Sequence, residues 1–218
     1  MLEAILWDND GVLVDTERLY FESTSTVLHE TGVELTEELF KTISLKEGRS
    51  CFDLAAEQGI PAEEISLLRQ RRNLLYRDLL RSGVQPIDGV ERTLRMLRGR
   101  LAMGVVTSSR REHFDIIHAS TDLLPYFDFV LTRENYEHSK PSPDPFLTAI
   151  GMNGFEKEHC IVVEDSERGL KAAIAAGIRC IIIPNRLTRE GNFSGAYGVY
   201  GTILDASEEL IRLLHSDL

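Results

Sequence analysis

Cysteine is scarce in this chain: Cys51, Cys160 and Cys180 are scattered over 218 residues. Three thiols so far apart exclude a disulfide framework and offer no zinc cluster. The six histidines, His113, His118 and His138 among them, show no metal-ligand spacing either. No apolar run approaches the ~18 residues of a membrane span, and the first residues carry neither a basic stretch nor the apolar core of a leader. Positive charge is in deficit, with 24 Lys and Arg against 35 Asp and Glu and a net charge of −11. A polyanion is held by clustered cations, so neither a nucleic acid nor a membrane is expected as a partner. The expected setting is a soluble chain in a reducing cytoplasm. Repeats and low-complexity tracts are absent, which excludes solenoids and fibres.

What the chain does have is a series of short apolar runs that end in small or polar residues. They are AILWD at 4–8, AMGVVTSS at 102–109, FDFVLT at 127–132, CIVVED at 160–165 and CIIIPN at 180–185. Continuous rather than alternating apolar runs predict strands covered on both faces, the pattern of a parallel sheet between helices. Helical stretches intervene: 88–99 puts Val90, Leu94 and Leu97 on one stripe, and 166–177 does the same with Leu170, Ala173 and Ile174. The fold class is α/β, a doubly wound parallel sheet, and such sheets bind ligands beyond the carboxyl ends of their strands.

Residues 16–83 break this alternation, reading as helix without a strand; the last helix runs from Pro61 to Gly83 with Leu68, Leu75 and Leu79 spaced for one buried face. The domain reading is a catalytic core of 1–15 and 84–218, with 16–83 a helical cap inserted after the first strand. An insert at the mouth of a sheet is placed to act as a lid.

At the strand ends the chain gathers acids. Asp8 closes the first run and Asp10 follows two residues later, with Gly11 permitting a sharp turn; Glu164 and Asp165 close another run that the fold brings to the same edge. Carboxylates this close repel, and a divalent cation relieves the repulsion; oxygen-only ligation suits Mg²⁺. Thr107 and Ser108 offer hydroxyl and backbone N–H groups to a phosphoryl oxygen, and Lys140, in a proline-rich loop, offers a positive charge.

The ordered set DNDG, VVTSS, KPSPDPF and VVEDS resembles the four motifs of the haloacid dehalogenase-like hydrolase superfamily. The match runs from about residue 4 to 185, and the helical insert looks like that superfamily's cap on a Rossmann-like core. The resemblance implies Asp8 as the nucleophile on phosphorus and Asp10 as the general acid and base. It implies Thr107 and Lys140 on the phosphoryl group, and Mg²⁺ held by Asp8, the Asp10 carbonyl and Asp165 with help from Glu164. A carboxylate needs no deprotonation at pH 7 to attack, and the second acid protonates the leaving alcohol. The chain is most similar to the group of β-phosphoglucomutase and phosphoglycolate phosphatase. The mutases there carry a histidine in the first cap helix, where this chain has Tyr20. The expected enzyme is therefore a phosphatase of a small phosphorylated metabolite, with an isomerising phosphotransferase as the alternative. A phospho-accepting signalling module is the third reading, since receiver domains combine an Asp, acidic metal ligands, a hydroxyl and a Lys.

Other residues read two ways. Arg49 in the cap is a second anion contact or a solvated arginine at a helix start, and Asp15 a capping residue for the first cap helix. Ser166 reads first as an N-cap, Asn9 as pointing away from the acids and tuning access, and Trp7 as core. The basic run RQRRN at 69–73 reads as a solvated face. The glycine-rich stretch 188–201 suggests no function.

Overall fold

The structure, a computed structural model, describes residues 2–215. Its centre is a six-stranded sheet in the order β3-β2-β1-β4-β5-β6, formed by Ala4–Trp7 (β1), Ala102–Val106 (β2), Phe129–Leu131 (β3), Cys160–Glu164 (β4), Arg179–Ile182 (β5) and Gly198–Val199 (β6). Every strand pairing is parallel. The short β6 lies in the glycine-rich stretch, a strand the sequence did not announce because two residues make no apolar run.

The apolar runs are continuous because successive side chains of each strand enter two different cores. Ile5 and Trp7 face one cluster with Met103, Val105, Ile161 and Val163. The helices Val90–Leu97 (α5), Arg111–His118 (α6) and Ile203–His215 (α9) close it with Val90, Leu94, Phe114, Ala206 and Leu210. Ala4 and Leu6 face the other, closed by Phe146 and Ala149 of Asp144–Asn153 (α7) and by Leu170 and Ala173 of Glu167–Ala176 (α8). Ile174 is half exposed, contrary to the expected stripe. The buried face of α8 instead uses Ala172, Ala173 and Ala176, whose small side chains allow the helix to sit close to the sheet.

Between β1 and α5 the chain is helical: Glu17–His29 (α1), Glu37–Phe40 (α2), Asp53–Glu57 (α3) and Ala62–Arg81 (α4). Helix α2 widens into a π-helical turn over Lys41–Lys46. These helices share a core of their own, including Val27, Leu28, Phe40, Phe52, Ile65 and Leu68. The buried face of α4 is Ile65, Leu68, Tyr76 and Leu80 rather than the Leu68, Leu75 and Leu79 stripe. The two segments that enter and leave this insert pair with each other, Val14 with Pro86, and Ile87 N–H donates to Leu13 O at 3.0 Å. No described helix is long and apolar enough to cross a membrane.

The site owes its position to register. Trp7 lies level with Val105 of β2 and Val163 of β4, so the chain leaves β1 at Asp8 between the ends of the two neighbouring strands. This is also where the strand order reverses direction, the usual ligand crevice of such sheets.

Candidate active site

Asp8 is buried, and its carboxylate accepts a 2.5 Å bond from Lys140 Nζ. Lys140, 3% exposed, also donates to Glu164 Oε1 at 2.7 Å and Val106 O at 2.8 Å, which engages all three of its protons. Burial lowers the affinity of an ammonium for its proton, yet the two carboxylates outweigh this and hold Lys140 above its usual range. Burial, reinforced by Glu164 and only partly offset by Lys140, pushes Asp8 up to about 7. Asp165 is raised too, by burial and then by the charges of Glu17, Glu164 and Asp8. Burial alone would raise Glu164, but the charge and hydrogen bond of Lys140, the charge of Arg168 and the Ser166 hydrogen bond together hold it below its usual value.

The acids differ in how fully they are occupied. Glu164 Oε2 accepts from the backbone of Asp165 (3.1 Å) and Ser166 (3.3 Å) and from Ser166 Oγ (3.0 Å). Ser166 Oγ in turn caps α8 through Gly169 N–H at 3.1 Å. Gly169 has no side chain for a reason: a Cβ there would lie 1.9 Å from the Glu164 carboxyl carbon. Asp165 has one hydrogen-bond donor, Asn185 Nδ2 at 2.7 Å. Asp8, Glu164 and Asp165 each offer an oxygen within 4.8 Å of the others. Three buried carboxylates against one lysine, all oxygen donors, fit a hard divalent cation.

Asp10 faces hydroxyls. Thr16 Oγ1 donates to its Oδ1, and Thr107 Oγ1 (3.1 Å) and Ser109 Oγ (2.8 Å) reach its Oδ2. Thr16 is the N-cap residue of α1, but its hydroxyl turns to Asp10 instead of capping the helix, while Asp15 is exposed. Thr107 is fully buried. Ser108 Oγ is buried at the cleft beside the Tyr136 hydroxyl, which donates to Thr107 O at 2.8 Å. Asn9 is buried, its Oδ1 bonded to His118 Nε2 at 2.8 Å. It holds the turn from beneath rather than tuning access, and burial drives His118 down to about 4, so that it is neutral.

Gly11 forms the turn at φ +86°, and a Cβ added to it would stand 2.5 Å from Asp165 Oδ2. Gly11→Ala is therefore expected to cost about 1–3 kcal/mol in backbone strain and to displace the Asp165 carboxylate. Urea unfolding and a cation titration of the variant measure the two effects separately.

Above these groups lies a cleft of about 440 Å³ walled by Asp8 and Asp165 below and by Tyr20, Phe40, Ser44 and Tyr76 from the insert. Arginines crowd it. Arg49, which has a half-exposed side chain, is ion-paired with Glu47, Asp53 and Glu57. Arg72 lies 4.4 Å over the Tyr20 ring and is fixed by Asn73 Oδ1 (3.0 Å) and Thr24 Oγ1 (3.3 Å). Arg168, from the first turn of α8, has a buried Nε without a partner. Arg110 and Arg133 complete the set. Sequence reasoning passed over Arg72, Glu17 and Asn185. Glu17 Oε2 accepts from Asn185 Nδ2 at 2.9 Å, and burial, with Asp10 and Asp8 nearby, pushes it up to about 8.

This fold and strand-end cluster define a Rossmann-like α/β core with a helical insert, and the family model of the haloacid dehalogenase-like hydrolases matches residues 5–183. The chain belongs to that family. It is similar to the phosphorylated carbohydrates phosphatase of Thermotoga maritima, 29% identical over 186 residues that cover 83% of this chain and 84% of the relative. Fructose-1-phosphate phosphatase YqaB of Escherichia coli is 26% identical over 82% of this chain and 94% of its own length. Among solved structures, a variant of CbbY from Rhodobacter sphaeroides in complex with xylulose-(1,5)bisphosphate superposes with a TM-score of 0.80. It covers 93% of this chain and 95% of that one at 23% identity, a likeness of fold. The chain is thus an enzyme of a hydrolase family, and the two activity-named relatives above are phosphatases.

Proposed function

We propose that the chain is a Mg²⁺-dependent phosphatase that hydrolyses a small phosphorylated metabolite through an aspartyl-phosphate on Asp8. The observation that carries this is the buried Asp8–Lys140–Glu164 ion cluster at the floor of a cleft, with Asp10 two residues away among hydroxyls. Residues 16–83 form the cap domain in this reading, and 1–15 with 84–218 the core.

Lys140 fixes Asp8 through Oδ1, which orients the other oxygen for attack on phosphorus. Asp10, in reach of three hydroxyls, gives a proton to the leaving alkoxide and then takes one from the water that cleaves the acyl phosphate. Ser108, with its hydroxyl at the cleft, binds a phosphoryl oxygen, and Thr107 holds the Asp10 carboxylate in place. Asp8, Asp165 and the Asp10 carbonyl would hold Mg²⁺, with Glu164 supporting through Lys140. When bound, the ion supplies the positive charge that lets an anionic nucleophile approach an anionic phosphate. Tyr20 and Arg49 belong to the cap wall on the substrate side.

Four arginines at the cleft, Arg72, Arg110, Arg133 and Arg168, pair with no described carboxylate in a chain of net charge −11. Arg133 is engaged by the Tyr136 and Glu137 carbonyls and Arg168 lies in the field of Glu164 and Glu17, yet this many guanidinium groups around one opening favour a substrate with a second negative group beside the phosphate, either a sugar bisphosphate or a compound of the phosphoglycolate type. Tyr20 at the position where mutases carry histidine favours hydrolysis over isomerisation.

Phosphate release from a panel of sugar monophosphates, sugar bisphosphates and phosphoglycolate tests the reading. Activity is expected only with Mg²⁺ and with a lower KM for doubly charged esters. Release that survives EDTA overturns the metal dependence, and no release from any phosphate ester overturns the phosphatase.

A further inference from the structure

Asn185 stands one turn beyond β5, outside the four motifs, and all of its amide capacity is in use. Its Oδ1 accepts from Leu187 N–H (2.8 Å) and Thr188 N–H (3.2 Å), which closes a tight Asx-type turn. Its Nδ2 divides between two carboxylates that belong to different parts of the fold, Asp165 Oδ2 at 2.7 Å and Glu17 Oε2 at 2.9 Å. The rest of the turn grips the helical insert. Leu187 is 7% exposed and completes the insert's own core beside residues such as Val33, Phe40 and Ile43, the one contribution to that cluster from outside residues 16–83 among the described residues. Arg186 makes a fork with Glu37 of α2, Nη1 to Oε1 at 2.8 Å and Nη2 to Oε2 at 3.0 Å.

We propose that Asn185 is a positioning residue that couples the seating of the helical cap to the cation site, one amide joining Asp165 in the core to Glu17 in the cap. The inference rests on the reading of Asp165 as a cation ligand. Three consecutive residues act as one device. Leu187 and Arg186 dock the cap on the turn, the turn fixes the Asn185 amide, and the amide aims Asp165 Oδ2. Groups that orient a metal ligand from behind are worth about 10–100-fold in metal affinity. Because coupling is reciprocal, a seated cap tightens the cation and a bound cation seats the cap.

A double-mutant cycle reads this directly. Mg²⁺ affinity is measured by calorimetric titration, without substrate, on the full chain and on the Asn185→Ala, Leu187→Ala and doubly substituted chains. Glu37→Ala serves as a second, surface perturbation of the docking should Leu187→Ala fail to fold. Asn185→Ala is expected to weaken Mg²⁺ about 10–100-fold. Leu187→Ala or Glu37→Ala, neither of which touches an acid of the site, weakens it severalfold, and the effect vanishes once Asn185 is gone. A purely structural turn would lower the melting temperature and leave Mg²⁺ affinity within twofold, which overturns the proposal. Additive effects in the cycle overturn it as well. Absence of Mg²⁺ binding by the unsubstituted chain defeats the cation reading itself and the coupling with it.

Discussion

Asp8→Asn is expected to abolish phosphate release, by at least about 10³-fold at saturating Mg²⁺ and substrate, since an amide of the same shape cannot attack phosphorus. The stability of the same variant should move the other way. In the cation-free chain Asp8 is pushed up to about 7 by burial and by Glu164, against 3.8 for an ordinary aspartate. A carboxyl with a raised folded value favours the fold while protonated. Its contribution is complete below pH 4 and is lost as pH rises through 7. Asparagine carries no such proton, so the variant in EDTA should melt higher than the natural chain at pH 8 and close to it at pH 5. Phosphate release and thermal melting at the two pH values check both halves. Full activity in Asp8→Asn would transfer the nucleophile to another residue.

The strands were legible because burial on both faces leaves a signature that periodicity alone reveals, and the acids were legible because each group closes a strand. The same rule, applied to CIIIPN, points at Asn185, which closes that run a short turn after β5 ends at Ile182. The residue was passed over because an amide carries no charge and its two carboxylate partners lie 20 and 168 positions away. Arg72 was hidden by its company. In RQRRN it reads as one of a solvated run, and Arg71 does pair with Glu30 at the surface. Yet Leu68, Arg72 and Tyr76 recur at helical spacing, and with Leu68 and Tyr76 buried the arginine between them must point inward. Arg72 also falls on the expected stripe, four residues after Leu68 and three before Leu75, so only its charged neighbours made it read as solvated. Asp15 misled in the same local way: Thr16 holds the N-cap position, and a capping pattern cannot reveal that a carboxylate from the preceding loop takes its hydroxyl.

Lys140→Met should be the most destabilising single change at this site, because it removes a cation and leaves two anions. Methionine keeps the length and apolar character of the stem, so the loss is electrostatic and not a cavity. Asp8 and Glu164 are both buried and both bonded to the ammonium, and breaking a buried pair by deleting one partner costs about 3–5 kcal/mol. The cost should depend on pH with a definite sign. Lys140 does most to hold Glu164 below its usual value. Without it only Arg168 and the donors from Asp165 and Ser166 oppose burial at Glu164, and both acids shift toward binding protons more tightly folded than unfolded. Stability is retained where they are protonated and lost as pH rises through their raised folded values. Urea unfolding in EDTA should therefore show a gap between Lys140→Met and the natural chain that is small at pH 5 and wide at pH 8. Lys140→Arg should not restore it, since a planar fork cannot direct three protons at Asp8, Glu164 and the Val106 carbonyl as an ammonium does. A gap that stays equal at both pH values would mean that Lys140 serves the fold through its stem alone, and would remove the buried ion cluster on which the phosphatase reading depends.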